Sequence, residues 1–411
     1  MKLKVVTLFS GYDSQCLSLD RLHNNYPQFD YELVAWSEID KYAIQAHNAI
    51  YPQYSDRNLG DVCKIDWNNV SDFDLLTCSS PCTDFSAAGL QKGGEKGSGT
   101  RSSLLWECER AIKEKKPKYL LMENVADLVR SKFIKLFNKW QSTLEGYGYA
   151  NYAKVLNAKN YGVPQNRERI FMVSVRNDVN QKFYFPEPFK LDKRLKDILD
   201  DSVDEKYYLS ERTIKGFLEH NERHIAKGTG FLFQPKNKDE IACCVRSNAA
   251  LCPTDNILYV DRIGNVNPSG NGMNGEVFST NGLAPTLTTI KGEGNKILEP
   301  KEVIGSTQKN ACIGTVNGPS SCITSACGIG GGQTPMITYN NSPRIRKLTP
   351  TECFRLMDVD NKDIHKLLNS GISNSQLYKL AGNSIVVSCL YHIFRKLFIE
   401  KENENKQLEL F

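Results

Sequence analysis

Short apolar runs alternate with amphipathic stretches along the first 175 residues. The runs are KVVTLF at 4–9, ELVAW at 32–36, FDLLT at 73–77, KYLLMENV at 118–125, YAKVL at 152–156 and RIFMVSV at 169–175, each about the length of a strand. Between several of them the apolar positions take helical spacing, as in SSLLWECERAIKEKK (102–116) and SKFIKLFNKWQSTLEGYG (131–148). Such alternation predicts an α/β fold on a doubly wound, mostly parallel sheet. Ligands of these sheets sit beyond the carboxyl ends of the strands. That rule gathers Phe9, Glu38, Cys82 and Glu123 on one rim.

The texture changes after FYFPEPFK (183–190): to about residue 342 the chain is rich in Gly, Asn, Thr and Ser, with short strand-like runs. The expected division is a first domain over 1–185, a smaller, irregular β-rich domain over 186–342, and a segment over 343–411 that returns to the first domain. Within the middle domain, NGLAPTLTTIKGEG (281–294) realigns without a gap on NGPSSCITSACGIG (317–330), and IACCVRSNA (241–249) reads as a weaker third copy of the central strand. No Asp, Glu, Lys or Arg occurs from 310 to 342, so a ligand read there would meet backbone, hydroxyl and amide groups. Helical patterning resumes at TPTECFRLM, with Thr before Pro at the first turn. A Gly-Asn turn then feeds the amphipathic AGNSIVVSCLYHIFRKLF (381–398). The last residues, EKENENKQLELF, read as a solvated end.

Composition narrows the field. A chain of 411 residues, 40% hydrophobic and 24% charged, can bury a full core. Its 13 cysteines show no metal-ligand CxxC pairs, so free thiols in a reducing cytoplasm and no metal site are expected. Neither a signal peptide nor a membrane span is apparent. The net charge of +5 permits a polyanionic partner without requiring one.

The stretch SSPCTDFS (79–86) puts Cys82 behind a proline at the exit of a predicted strand. A nucleophilic thiolate there would need positive charge or backbone donors near it, and Arg167 and Arg169 of QNRERIF, two apart at a strand's start, would face one side together. Arginines at strand edges more commonly hold loops by salt bridges. Glu123 closes LLMENV, where partial burial would raise its pKa and let it share a proton near neutrality; alone it would be a loop anchor. VTLFSGYDSQ, a strand running into Ser-Gly and a helix, suits a nucleotide-like ligand but lacks GxGxxG. Glu38 is placed for ribose hydroxyls, and Asp61 of NLGDV follows the next segment. The loop GLQKGGEKGSGTR (89–101) could close over a substrate.

In order, these pieces resemble the cytosine-C5 DNA methyltransferase family over roughly 4–176 and 344–398. LFSG, SEID and GDV resemble its cofactor motifs, SSPCTDFS its nucleophile loop, MENV its catalytic-acid motif and QNRER its paired arginines. RKLTPTECFRLM and AGNSIVV resemble its closing motifs. The chain departs from the family with Asp13 and Ser14 where further glycines are usual, and with Ser80-Pro81-Cys82 for Pro-Pro-Cys. Asp13 would put a charge near the cofactor's carboxylate end.

The resemblance implies a Rossmann-like class I methyltransferase fold whose middle region is a target-recognition domain, with TLT at 286–288 as its threonine element. It also implies an enzyme that moves a methyl group from S-adenosylmethionine to C5 of a cytosine flipped out of a short specific double-stranded DNA sequence. Cys82 would attack C6, Glu123 would hold N3 and the exocyclic amine, and Arg169 with Arg167 would steady the oxygen edge and the loop. Phe9, Ser10, Gly11, Glu38, Ile39, Asp61, Val62, Pro81, Leu104, Asn383 and Ser384 would line the cofactor pocket. A monomer is expected, with a cognate restriction endonuclease as a candidate partner and no membrane. The alternatives are a tRNA cytosine-5 methyltransferase or a catalytically silent DNA-binding protein. Cys78, four residues before Cys82, is expected in the core.

Overall fold

The computed structural model describes residues 2–81, 96–130, 132–228, 232–247, 255–260 and 344–400. Between 260 and 344 it describes only the short strands 264–265, 276–279, 296–298, 303–306, 314–315, 327–328, 331–332 and 335–337. The chain divides into two compact units. The first comprises Met1–Ile198, Asp239–Asp255 and Pro350–Phe411, and the second Leu199–Lys238 and Asn256–Thr349.

The first unit is built on six strands: β1 (Leu3–Leu8), β2 (Tyr31–Ser37), β3 (Leu75–Cys78), β4 (Tyr119–Val125), β5 (Tyr149–Asn157) and β6 (Glu168–Arg176). They lie in the order β2-β1-β3-β4-β6-β5. Neighbours from β2 to β4 run parallel, because α1 (Ser14–Asn25), α2 (Lys41–Ile50) and α3 (Leu105–Lys115) carry the chain back over the sheet. β6 runs antiparallel to both β4 and β5. All six apolar runs of the sequence are therefore strands, and the sheet is mostly parallel as expected. Consecutive buried residues, Val5 to Leu8 and Leu75 to Cys78, mark strands covered on both faces; Cys78 is among them. The chain moves from β1 to β2 on one side and to β3 on the other. This reversal opens a crevice at the carboxyl ends of β1 and β3.

α4 (Ile134–Gly146) precedes β5 and buries Leu136, Phe137, Trp140 and Leu144. After the second unit the chain re-enters through four helices. In chain order, with α5 (Glu211–Lys227) in the second unit, they are α6 (Pro350–Arg355), α7 (Asn361–Leu368), α8 (Asn374–Asn383) and α9 (Val387–Phe398). Gly382 and Asn383 end α8 rather than forming a separate turn. α9 packs along α1, burying Leu390, Ile393, Phe394 and Leu397. No helix among the described residues is long and apolar enough to cross a membrane, and the eight described cysteines are free.

The second unit contains a helix the glycine-rich texture did not suggest. α5 starts at Ser210, whose hydroxyl accepts from the Thr213 N–H. Ile214 and Phe217 pack on a small core of Phe233, Ile257 and Ile345. Strand Ile257–Val260 pairs antiparallel with Arg344–Lys347, and the remaining described strands form small two- and three-stranded sheets. The repeat segments lie outside the described residues except 327–328, as does TLT at 286–288. The expected third copy at 241–249 is not a strand: its described residues, 241–247, make one bridge, from Ala242 to Gln165, and belong to the first unit.

Candidate active site

The crevice between β1 and β3 is shaped by backbone. Phe9, directly after β1, has φ +56° and Gly11 has φ +59°, a bend that glycine takes without strain and phenylalanine does not. Ser10 is buried, and its hydroxyl donates to the carbonyls of Thr7 and Ser37 (2.9 and 3.3 Å). Glu38 follows β2. One carboxylate oxygen accepts from the N–H groups of Ile39 and Asp40 (2.8 and 2.9 Å), the other from the N–H of Gly11 (3.0 Å). Glu38 thus ties the first strand's exit to the second's. Beside it Ile39 is 70% exposed, an apolar surface at the mouth of the crevice.

Asp61 caps a short turn by accepting from the Cys63 N–H (3.0 Å), while the next residue, Val62, is buried. Leu104 packs half-buried on the core beside Phe9. Asn383 is exposed at the end of α8. Ser384, next along, accepts from the Tyr12 hydroxyl (2.7 Å) and so joins the last motif to the first. Asp13 behaves differently from the expectation that it faces a cofactor. Its carboxylate is fully buried, accepts from the Cys16 N–H at the start of α1 (3.0 Å) and from the Thr7 hydroxyl (2.8 Å), and lies 3.6 Å from His47 Nε2. A polar residue with its own partners inside the fold replaces the usual glycine.

Cys82 lies outside the described residues, as do 83–95 of the neighbouring glycine-rich stretch, but the two residues before it are held. Asn124, buried at the end of β4, donates to the Ser80 carbonyl (3.1 Å). The buried Ser102 donates to the Pro81 carbonyl (2.9 Å). The carbonyls of the last two described residues before Cys82 are therefore both held.

On the antiparallel side, Glu123 is 8% exposed and Arg169 Nε stands 3.2 Å from its Oε1. Burial pushes the Glu123 carboxyl above its ordinary pKa against the pull of Arg169 and Arg167. Arg167 is almost wholly buried and spends its guanidinium on other groups. Nη1 donates to the Val245 carbonyl (2.9 Å) and Cys244 Sγ (3.1 Å), and Nη2 to the carbonyls of Gly382 and Ser384 (2.9 and 2.7 Å). Burial, then the adjacent Arg169, pull its pKa down. The two arginines do share a side, since both reach Cys244 Sγ. Only Arg169 is the ion-pair partner of Glu123.

Asn124, Ser102, Gln165 and Cys244 were not picked out as site residues. Gln165 is wholly buried, accepting from the Val245 N–H (2.9 Å) and donating to the Leu356 carbonyl (2.6 Å). Asn124 and Gln165 lie inside the quoted strings MENV and QNRER, which was the available signal. Ser102 and Cys244 bond to partners far along the chain and leave no local pattern.

Comparison with known proteins adds independent findings. A family model described as C-5 cytosine-specific DNA methylase matches residues 3–399. The chain is 33% identical to the orphan methyltransferase M.SPRI of Bacillus phage SPR, covering 98% of this chain and all of that protein. It is 30% identical to the type II methyltransferase M.HhaI of Haemophilus parahaemolyticus, covering 95% and 93%. Among solved structures, the methyltransferase EhMeth of Entamoeba histolytica superposes with a TM-score of 0.63 at 15% identity, covering 98% of this chain and 100% of that one. The Dnmt2 methyltransferase of S. pombe gives 0.56 at 17%, covering 96% and 97%. These two bear on the fold alone.

Proposed function

The chain belongs to the C-5 cytosine-specific DNA methylase family and is a DNA (cytosine-5)-methyltransferase; we propose that it methylates a cytosine flipped out of double-stranded DNA through a covalent Cys82–C6 bond. The observation that carries this reading is the buried Glu123, raised in pKa and paired with Arg169, on the same rim as the pinned entry to Cys82. Cytosine C6 is electrophilic only when N3 bears positive character. Glu123 donates a proton to N3, or shares one, as the Cys82 thiolate bonds to C6. The electron pair then resides on C5, which is enamine-like and nucleophilic. After methyl transfer a base removes the C5 proton and the C5–C6 double bond re-forms. Cys82 leaves as thiolate and the proton on N3 is returned.

S-adenosylmethionine would supply an electrophilic methyl on sulfonium. The residues fit it: Glu38 keeps lone pairs for ribose hydroxyls beyond the three N–H groups it accepts, and the exposed Ile39 offers an apolar face to a base. Phe9, Ser10, Gly11, Asp61, Val62, Pro81, Leu104, Asn383 and Ser384 are the further residues assigned to this pocket. The base must leave the stack for C6 to be reached, at a cost of a few kcal/mol met by protein contacts. The second unit, Leu199–Lys238 with Asn256–Thr349, is the proposed reader of the DNA sequence. Phage relatives described as orphan methyltransferases favour an enzyme working without a partner endonuclease.

A tRNA substrate has less behind it, because the family model that matches residues 3–399 is a DNA methylase one, and the relatives at 30–33% identity over nearly the whole chain are described as orphan or type II methyltransferases. Bisulfite sequencing of plasmid DNA from expressing cells, beside a Cys82→Ala control, tests the reading. Protected cytosines in one short context, absent from the control, are expected. No protection by a folded protein would overturn it.

A further inference from the structure

Among the described residues, Arg169 meets Glu123, Glu168 and Cys244. Nε stands 3.2 Å from Glu123 Oε1, Nη1 donates to the Glu168 carbonyl (2.8 Å), and Nη2 donates to Cys244 Sγ (3.8 Å). The same sulfur accepts from Arg167 Nη1 (3.1 Å). Cys244 is brought there by its backbone. The Ala242 N–H donates to the Pro164 carbonyl (2.8 Å), the Asn166 N–H donates to the Ala242 carbonyl (2.9 Å), and the Val245 N–H is held by Gln165. On the far side, Gly382 packs so closely that a Cβ there would lie 2.2 Å from the Arg246 carbonyl carbon and the Ser247 nitrogen. The sulfur is therefore fixed between two guanidinium groups, in the segment that the sequence suggested as a third repeat copy.

This placement bears on Glu123. A guanidinium that meets a carboxylate through two nitrogens engages both oxygens and strongly favours the ionised form. With Nη2 turned to Cys244, Arg169 approaches Glu123 most closely through Nε, at one oxygen. At Glu123 burial then outweighs the arginines. Burial would also raise the Cys244 thiol, but Arg167 and Arg169 more than offset it, so its pKa lies below the ordinary thiol value.

We propose that Cys244 is a positioning residue for the methyl-transfer reaction: by engaging Arg169 it limits the grip of Arg169 on Glu123, which lets Glu123 keep the proton that N3 of the base requires. The proposal rests on the reading of Glu123 as the proton-bearing acid. The titratable and charged groups around the pair are Arg167 and Arg169 beside β6, Cys389 on α9 and Tyr12 ahead of α1, with Glu168, Arg130 and Asp127 towards solvent. Among the described residues, Cys244 joins the two arginines to the segment 241–247 through a side chain that can carry charge.

The test is steady-state methylation of unmethylated plasmid DNA by the full-length protein from pH 6 to 9, for wild type, Cys244→Ala, Cys244→Ser and Glu123→Gln. In Cys244→Ala, Arg169 can close on both oxygens of Glu123. Expected are a kcat roughly tenfold lower at neutral pH and an alkaline limb moved about one unit towards acid, the equivalence of one pKa unit, with both KM values unchanged. Cys244→Ser, which keeps an acceptor, should fall between. An unmoved limb in Cys244→Ala, whether kcat falls uniformly or stays at wild type, overturns the proposal. If Glu123→Gln is inactive in that case, the reading of Glu123 survives; wild-type kcat in Glu123→Gln overturns both.

Discussion

The two halves of the six-stranded sheet build their rims in opposite ways. On the parallel side, the carboxylates mostly cap nearby N–H groups: Glu38 accepts from the two residues after it, Asp61 from Cys63 and Asp13 from Cys16. The Glu38 carboxylate also reaches Gly11, and a few longer bonds join Ser10 to Ser37 and Tyr12 to Ser384. On the antiparallel side the partners come from across the unit: Arg167 holds carbonyls at 245, 382 and 384, and Asn124 holds Ser80. A rim of local caps tolerates error one residue at a time. A rim of long-range bonds to one guanidinium does not.

The sharpest challenge to that contrast is Arg167→Ala. It would leave three buried carbonyls without their donor, and we expect a loss of about 3 kcal/mol or more, since bonds to charged groups contribute roughly 1.5–3 kcal/mol each. A urea-unfolding change under about 1 kcal/mol would show that the antiparallel rim is not held this way. Gly382→Ala comes next. Its methyl must displace the Arg246–Ser247 backbone, at about 1–3 kcal/mol for overpacking, and activity should fall with stability; a wild-type melting temperature would count against the close contact.

Glu123→Gln probes the same side through pH. Because burial raises the folded-state pKa of Glu123, the native state binds its proton more tightly than the unfolded chain does. The stability this contributes is complete below the ordinary carboxyl pKa and is lost as pH rises through the raised value. Urea midpoints of wild type relative to Glu123→Gln should therefore decline between acid and neutral pH, and a flat difference would contradict the buried placement. On the parallel side, Glu38→Gln should change stability by only about 1 kcal/mol and act mainly on KM for S-adenosylmethionine. Asp61→Asn, at a partly exposed cap, should stay within about 0.5 kcal/mol.

The same contrast explains what could be read from the chain beforehand. Every strand of the sheet was visible: the central ones, covered on both faces, are continuous apolar runs such as VVTL and LLTC, and the edge strand β5, exposed over 153–155, still carried the run YAKVL. Glu123, Arg169 and Glu38 were visible as charges at the ends of such runs. The task of Arg167 was only half visible, because its acceptors are mainly backbone carbonyls, which any residue type supplies. The segment 241–247 looked like another β repeat: IACCV has strand composition, but its edge is taken by Pro164–Asn166 of the first unit. α5 was hidden by the polar, glycine-rich stretches around it, although Ser210 with Ile214 and Phe217 at helical spacing was the available clue.

The dependence of Arg167 on Gly382 and Ser384 also sets an order of events during synthesis. β1, β2 and the loop that joins them leave the ribosome early, and Glu38 can engage Gly11 at once. The acceptors at 382 and 384, and α9 that covers α1, are translated only after the whole of the second unit. A nascent chain stalled within that unit can form the Glu38–Gly11 contact but lacks the acceptors of Arg167 and the Ser384 partner of Tyr12. Products truncated before the last helices therefore lack the acceptors that Arg167 engages.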